Sequence, residues 1–191
     1  MKIFFIGDTH FYHRNIIKYC DRPFVSVEEM NEEIIKRWNE RVSKDDIVYM
    51  MGDFALCSKQ KKKEILQKLN GHIYLIKGNH DEGSIKSYYD IGFERVYEHP
   101  IIINNFWILS HEPMFINEAM PYVNIFAHVH NNPQYCSSGS NFVCVSGERT
   151  NFYPVSFDDI EELLEYNHSN GLCGTSFEQF LNINSSVLTK K

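Results

Sequence analysis

Five times along this chain a short apolar run gives way at once to Asp, Asn or His. Residues 3–6 lead into Gly7-Asp8-Thr9-His10, and residues 47–51 into Gly52-Asp53. Residues 73–76 lead into Lys77-Gly78-Asn79-His80-Asp81, residues 106–109 into Ser110-His111, and residues 123–126 into Ala127-His128-Val129-His130. Runs this short, rich in β-branched and aromatic residues, read as strands buried on both faces. Between the early runs lie helical patterns. Ser26 and Glu29 form a capping box ahead of an apolar face at Ile34, Ile35, Trp38 and Val42. A second helix is expected over residues 58–69, with Ile65, Leu66 and Leu69 inward and Gly71 past its end. Strand and helix therefore alternate as in right-handed crossover units.

The second half changes character. Residues 95–97, 100–103, 106–109 and 142–145 read as strands with short connections, and Asn104-Asn105 as a tight hairpin turn. Residues 158–166 form a last amphipathic helix, residues 167–171 a loop, and the tail keeps only weak periodicity at Phe177, Phe180 and Leu181. The expectation is one α/β domain over residues 1–166 and a tail, 167–191, either packed on it or mobile.

In open α/β sheets, sites form outside the carboxyl ends of the strands. A sheet that aligns these ends would collect Asp8, His10, Asp53, Asn79, His80, His111, His128 and His130 in one cleft. Asp8 and His10 are two residues apart, as are His128 and His130, so each pair can face the same side. Carboxylate, amide oxygen and imidazole without thiolate suit manganese, iron or zinc better than calcium, with nickel and magnesium as alternatives. Seven ligands exceed one tetrahedral ion and fit two ions sharing a carboxylate. A lone His is more often structural than a ligand; recurrence after successive strands reverses that expectation.

The net charge of −6 disfavours a nucleic-acid groove but not a small phosphorylated substrate, because bound cations supply local positive charge. The lysines at 59 and 61–63 read as a solvated helix face. Five scattered cysteines with no Cys-x-x-Cys pair indicate a reducing cytoplasm, and no run reaches the ~20 apolar residues of a membrane span. Oligomeric state is not legible.

The ordered blocks Gly7-Asp8-Thr9-His10, Gly52-Asp53, Gly78-Asn79-His80-Asp81, His111 and His128-Val129-His130 resemble the calcineurin-like metallophosphoesterase signature. The segment His13-Arg14-Asn15-Ile16-Ile17, followed by Tyr19-Cys20-Asp21-Arg22-Pro23-Phe24, resembles a small bacterial and phage branch. The resemblance implies a four-layer α/β/β/α sandwich. It also implies that Asp8, His10 and His130 hold one divalent metal, Asn79, His111 and His128 a second, and Asp53 bridges them. His80 would be the catalytic histidine that stabilises charge or protonates the leaving oxygen. His13 and Arg14 are candidate phosphate-binding residues, with Arg22 and Arg149 weaker ones. Two departures stand out. Ala127 replaces the family's usual Gly, and Gly52-Asp53 continues as Phe54-Ala55-Leu56, without the acid and arginine of protein phosphatases. Asp81 is then the candidate to orient His80. The expected activity is hydrolysis of phosphomonoesters or phosphodiesters, nucleotide-like ones favoured. A metal-dependent nuclease and a non-catalytic scaffold are the alternatives.

Overall fold

The apolar runs fold as strands of two sheets. The computed structural model describes residues 1–180 other than Glu118, Cys173, Ser176 and Glu178. In chain order the strands are β1 (Ile3–Ile6), β2 (Ile47–Met50), β3 (His72–Ile76), β4 (Arg95–Tyr97), β5 (Ile101–Ile103), β6 (Trp107–Leu109), β7 (Val123–Phe126), β8 (Phe142–Cys144) and β9 (Val155–Ser156). The first sheet runs β4-β3-β2-β1-β9, parallel except for β9, and the second runs β5-β6-β7-β8. In the second, β5 and β6 are an antiparallel hairpin and the remaining pairs are parallel. Asn104 and Asn105 both take positive φ, 52° and 53°, as a type I′ turn requires.

Strand periodicity explains why the runs are apolar throughout. On β1, Phe4 and Ile6 join the core under the helices, while Phe5 joins the core between the sheets. On β2, Val48 and Met50 face the helices and Tyr49 the second sheet. Helices α1 (Arg14–Tyr19), α2 (Val27–Arg41), α3 (Lys59–Leu66) and α4 (Ile85–Ile91) place Ile16, Met30, Ile34, Trp38, Ile65 and Ile91 in the helix-side core. Helix α5 (Phe157–Asn170) sends Ile160 and Leu163 into the inter-sheet core. The architecture is thus mixed α/β, two face-to-face sheets flanked by helices, as the α/β/β/α expectation required. No described helix is long and apolar enough to cross a membrane.

Two local expectations change, at the end of the last helix and at the cap of α2. The last helix continues to Asn170 and ends at Gly171, whose φ is +61°. Its polar end read as a loop, yet Asn167 is buried and its amide donates to Ser138 Oγ at 2.8 Å. Farther on, Phe177 and Phe180 are buried in the inter-sheet core, and Leu181 lies outside the described residues. At the start of α2, Ser26 Oγ accepts from Glu29 N–H as expected, but Glu29 accepts from Val25 N–H rather than from Ser26.

The sheets meet at one seam. Gly7 N–H donates to Val145 O at 2.9 Å, and Gly147 N–H donates back to Gly7 O at 3.0 Å. A Cβ on Gly7 would stand 2.3 Å from the Cβ of Ala127, so with alanine at 127 the seam closes only with glycine at position 7.

Candidate metal centre

All seven ligand candidates lie on loops leaving the carboxyl ends of strands: Asp8 and His10 after β1, Asp53 after β2, Asn79 after β3, His111 after β6, His128 and His130 after β7. The first two loops run side by side beyond the sheet. Asp8 N–H donates to Gly52 O, and His10 N–H to Asp53 O, at 3.0 and 2.9 Å. Asp8, His10, Asp53, His128 and His130 all adopt positive φ, between 48° and 69°. Asp and His tolerate that region better than most residues, and such conformations concentrate where function requires them. In front of Asp53, Gly52 has φ +87°, and a Cβ there would lie 2.4 Å from His111 Nδ1.

The loops bring the side chains together in two groups, Asp8–His10–His130 and Asp53–His111–His128, each with ligand atoms within 4.8 Å of one another. Asp53 Oδ2 lies between them, 3.4 Å from His10 Nε2 and 3.6 Å from His111 Nε2. Asn79 Oδ1 completes the second group, 3.0 Å from both His111 Nε2 and His128 Nδ1. His111 Nδ1 lies 2.8 Å from Met51 O, and the tautomer that donates there leaves Nε2 as an acceptor. An imidazole lone pair and an amide oxygen then face each other, an arrangement that a cation reconciles.

Asp8 is fully buried, and neither carboxylate oxygen has a hydrogen-bond partner; His10 Nε2 has none either. Orphaned buried acceptors of this kind require an explanation, and a divalent cation supplies one. The residues therefore fit a metal. Burial raises the Asp8 carboxyl to about 6, although His130 and His111 pull it down. Burial, reinforced by His130 and Arg22, lowers His10 to about 2, so its imidazole is neutral. For His130, burial alone would lower the pKa. Its hydrogen bonds to Cys20 and Glu148 and the charges of Asp8 and Glu148 win, raising it to about 11.

Among the other predicted residues, His80 is exposed, its ring 5.4 Å from that of His10, and its backbone N–H donates to Asp53 Oδ1 at 2.9 Å. His13 Nδ1 lies 3.5 Å from His10 Nδ1, and its ring 6.3 Å from that of His80. Arg14 is exposed and lines a separate depression with Val25 and Glu28, since it opens α1 on the side of α2. The expected Asp81–His80 contact is corrected. Asp81 is buried and accepts from the N–H groups of Asp53, Gly78 and Phe54, so it ties the Asp53 loop to the Asn79 loop.

Three residues act in ways that the sequence does not signal. Arg22, read as a weak phosphate candidate, is buried and donates to Asp8 O at 2.6 Å and Thr9 O at 3.0 Å. It also pairs with Glu148, whose Oε1 lies 3.0 Å from His130 Nδ1. Glu148 stays ionised: burial opposes this, but His130 and Arg22 hold its pKa below the usual range. Arg149, the other weak candidate, donates to His130 O at 2.6 Å and to Asn132 O and Tyr135 O.

The strand ends of two sheets bring carboxylate, amide and imidazole donors into two candidate metal-binding groups, a donor set of the kind that metal-dependent hydrolases use. The chain belongs to the calcineurin-like phosphoesterase family, whose model matches residues 1–181. It is 39% identical over 173 residues to an uncharacterized protein of Methanocaldococcus jannaschii, covering 86% of this chain and 92% of that one. In structure it is similar to a protein of unknown function from Aquifex aeolicus, with a TM-score of 0.67 and 26% identity over 85% of this chain and 98% of that chain. The family's reaction class is metal-dependent phosphoester hydrolysis, and the two groups are candidate sites for divalent metal ions.

Proposed function

We propose that this chain hydrolyses small phosphomonoesters or phosphodiesters, nucleotide-like ones above others, with two divalent ions. The observation that carries the reading is the buried Asp8 carboxylate, orphaned beside His10 Nε2 at the end of a parallel strand. Asp8, His10 and His130 would hold one ion, Asn79, His111 and His128 the other, and Asp53 both. The oxygen/nitrogen donor set suits manganese, iron or zinc, with nickel and magnesium as alternatives, and manganese is the ion taken first. When bound, the ions supply stabilisation of the charge that develops on the phosphoryl oxygens.

The chain's own groups do the rest. His80 stands at the mouth of the centre, with its backbone fixed on Asp53, and its imidazole protonates the leaving oxygen. His13 borders His10 and His80 and orients a phosphoryl oxygen; Arg14, in its separate depression, is not assigned a contact with the scissile phosphate. The absence of an acid and arginine after Asp53 argues against protein phosphatase activity, and the net charge of −6 against a nuclease. Retention of every candidate ligand argues against a mere scaffold. The segment from His13 to Phe24 supports placement in the small bacterial and phage branch. Four free cysteines among the described residues support a reducing cytoplasm.

Asp53→Asn removes the charge shared by both groups and is expected to abolish hydrolysis of an aryl phosphate by purified, metal-loaded protein. Unchanged turnover would overturn the reading.

A further inference from the structure

The two segments beside the centre, residues 11–25 with α1 inside them and residues 131–141, carry no specificity motif in the sequence. In the fold they meet at one cleft of about 570 Å³, whose lining includes His128 and His130 together with Tyr19 and Tyr135. That volume lies within the range of small-molecule sites.

Both tyrosines sit on tethered backbone. Asn131 Nδ2 donates to Cys20 O at 2.7 Å, which ties the end of α1 to the loop after β7. Arg149 joins His130 O to Tyr135 O through one guanidinium, at 2.6 and 3.0 Å. The position of Tyr135 is thereby fixed relative to a candidate metal ligand. Yet Tyr19 is 72% exposed and Tyr135 43% exposed. A single exposed aromatic is ordinary. Two on one cleft, each anchored to the loops of the centre, are a prepared surface for a planar group.

The cleft's chemistry narrows that group. Its lining contains no lysine, arginine or carboxylate. Apart from the candidate metal ligands His128 and His130, a second phosphate would find no cationic side chain there, and an ammonium group no anion. An uncharged, flat, polar-edged ring suits it.

We infer that Tyr19 and Tyr135 form a subsite that stacks the nucleobase of a nucleotide whose phosphate lies at the candidate metal centre. This rests on the phosphoesterase reading and adds what the scissile phosphate is attached to. Stacking on aromatic side chains tolerates any base, so the subsite selects for a base rather than for its identity.

The test uses two non-hydrolysable probes, the methylenephosphonate analogues of adenosine 5′-monophosphate and of ribose 5-phosphate, which differ only in the base. Calorimetry on the metal-loaded full chain is expected to show tighter binding of the adenosine probe. Tyr19→Leu and Tyr135→Leu should each cut that preference by about fivefold to thirtyfold, about 1–2 kcal/mol at 1.4 kcal/mol per factor of ten, and the corresponding Phe variants should keep it. Equal binding of the two probes by the wild-type protein, or a preference that survives both Leu changes, overturns the subsite. Hydrolysis is scored separately on adenosine 5′-monophosphate, ribose 5-phosphate and their methyl diesters. If all are inert while the Tyr-dependent preference persists, the phosphoesterase reading fails and the subsite stands. Turnover without a base preference has the opposite meaning.

Discussion

Glu148 stands 126 residues from Arg22 in the chain, yet one carboxylate oxygen serves both Arg22 and His130. That oxygen occupies Nδ1 of His130 and would leave Nε2 to face an ion, and Arg22 holds the Asp8 loop against the same carboxylate. Outer residues of this kind tune a metal site as strongly as many ligands do. Glu148→Gln is expected to weaken manganese binding by roughly 10- to 100-fold in a calorimetric titration, whereas Glu28→Gln, on the exposed start of α2, should not. Equal affinities for the two variants would show that the contact is only structural. The candidate ligands were legible because their types and their places after strands are sequence properties. The roles of Arg22, Glu148 and Asp81 were not, because each depends on loops that only the fold brings together. Protonation gives a second expectation at this scale. Without metal, His130 keeps its proton up to about 11 and Asp8 up to about 6. Both must lose it to ligate, while His10 is already neutral. Metal affinity should therefore rise about tenfold per pH unit between roughly pH 6 and 8, and more steeply below pH 6, where Asp8 adds its own proton. Proton release counted by calorimetry in two buffers checks this, and a flat profile would contradict it.

At the scale of elements, the strands with continuous apolar runs were readable, and the elements that escaped are those defined by partners. β9 has two residues and exists because Val155 and Ser156 pair with Phe5 and Phe4 of β1. Helices α1 and α4 have six and seven residues, too few to establish a period, and they are held by Ile16, Tyr88 and Ile91 in the helix-side core. The seam between the sheets gives an element-scale test. The Cβ of Ala127 occupies the space that a Cβ on Gly7 would need. The pair thus divides one small volume. Gly7→Ala should destabilise the chain by about 1–3 kcal/mol through overpacking. Adding Ala127→Gly should restore part of the loss, because the next contacts, with Met51 at 3.2 and 3.3 Å, are far milder. Urea unfolding of the two single variants and the double variant measures the coupling. Additive losses would mean that the seam adjusts elsewhere.

For the whole molecule, the centre is a joint between layers. Asp8, His10, Asp53 and Asn79 come from the first sheet, and His111, His128 and His130 from the second. An ion held by donors from both sheets would therefore cross-link the halves of the sandwich, and the unfolded chain has no equivalent site. Binding to the folded state alone contributes about 2.7 kcal/mol at a hundredfold excess over Kd. For a chain of this size that corresponds to a rise in Tm of about 5–10 °C, reversed by a chelator. The same logic predicts a trade-off at Asp8. Its buried, unpartnered carboxylate burdens the metal-free fold, as its elevated pKa records. Asp8→Asn removes the charge, so the metal-free variant should melt above metal-free wild type, yet gain little from added metal. Metal-loaded wild type should melt above both. Scanning calorimetry of the two proteins, with manganese and with chelator, yields the four melting temperatures. If metal raises the variant as much as the wild type, the Asp8 carboxylate is not a ligand and the joint is built differently.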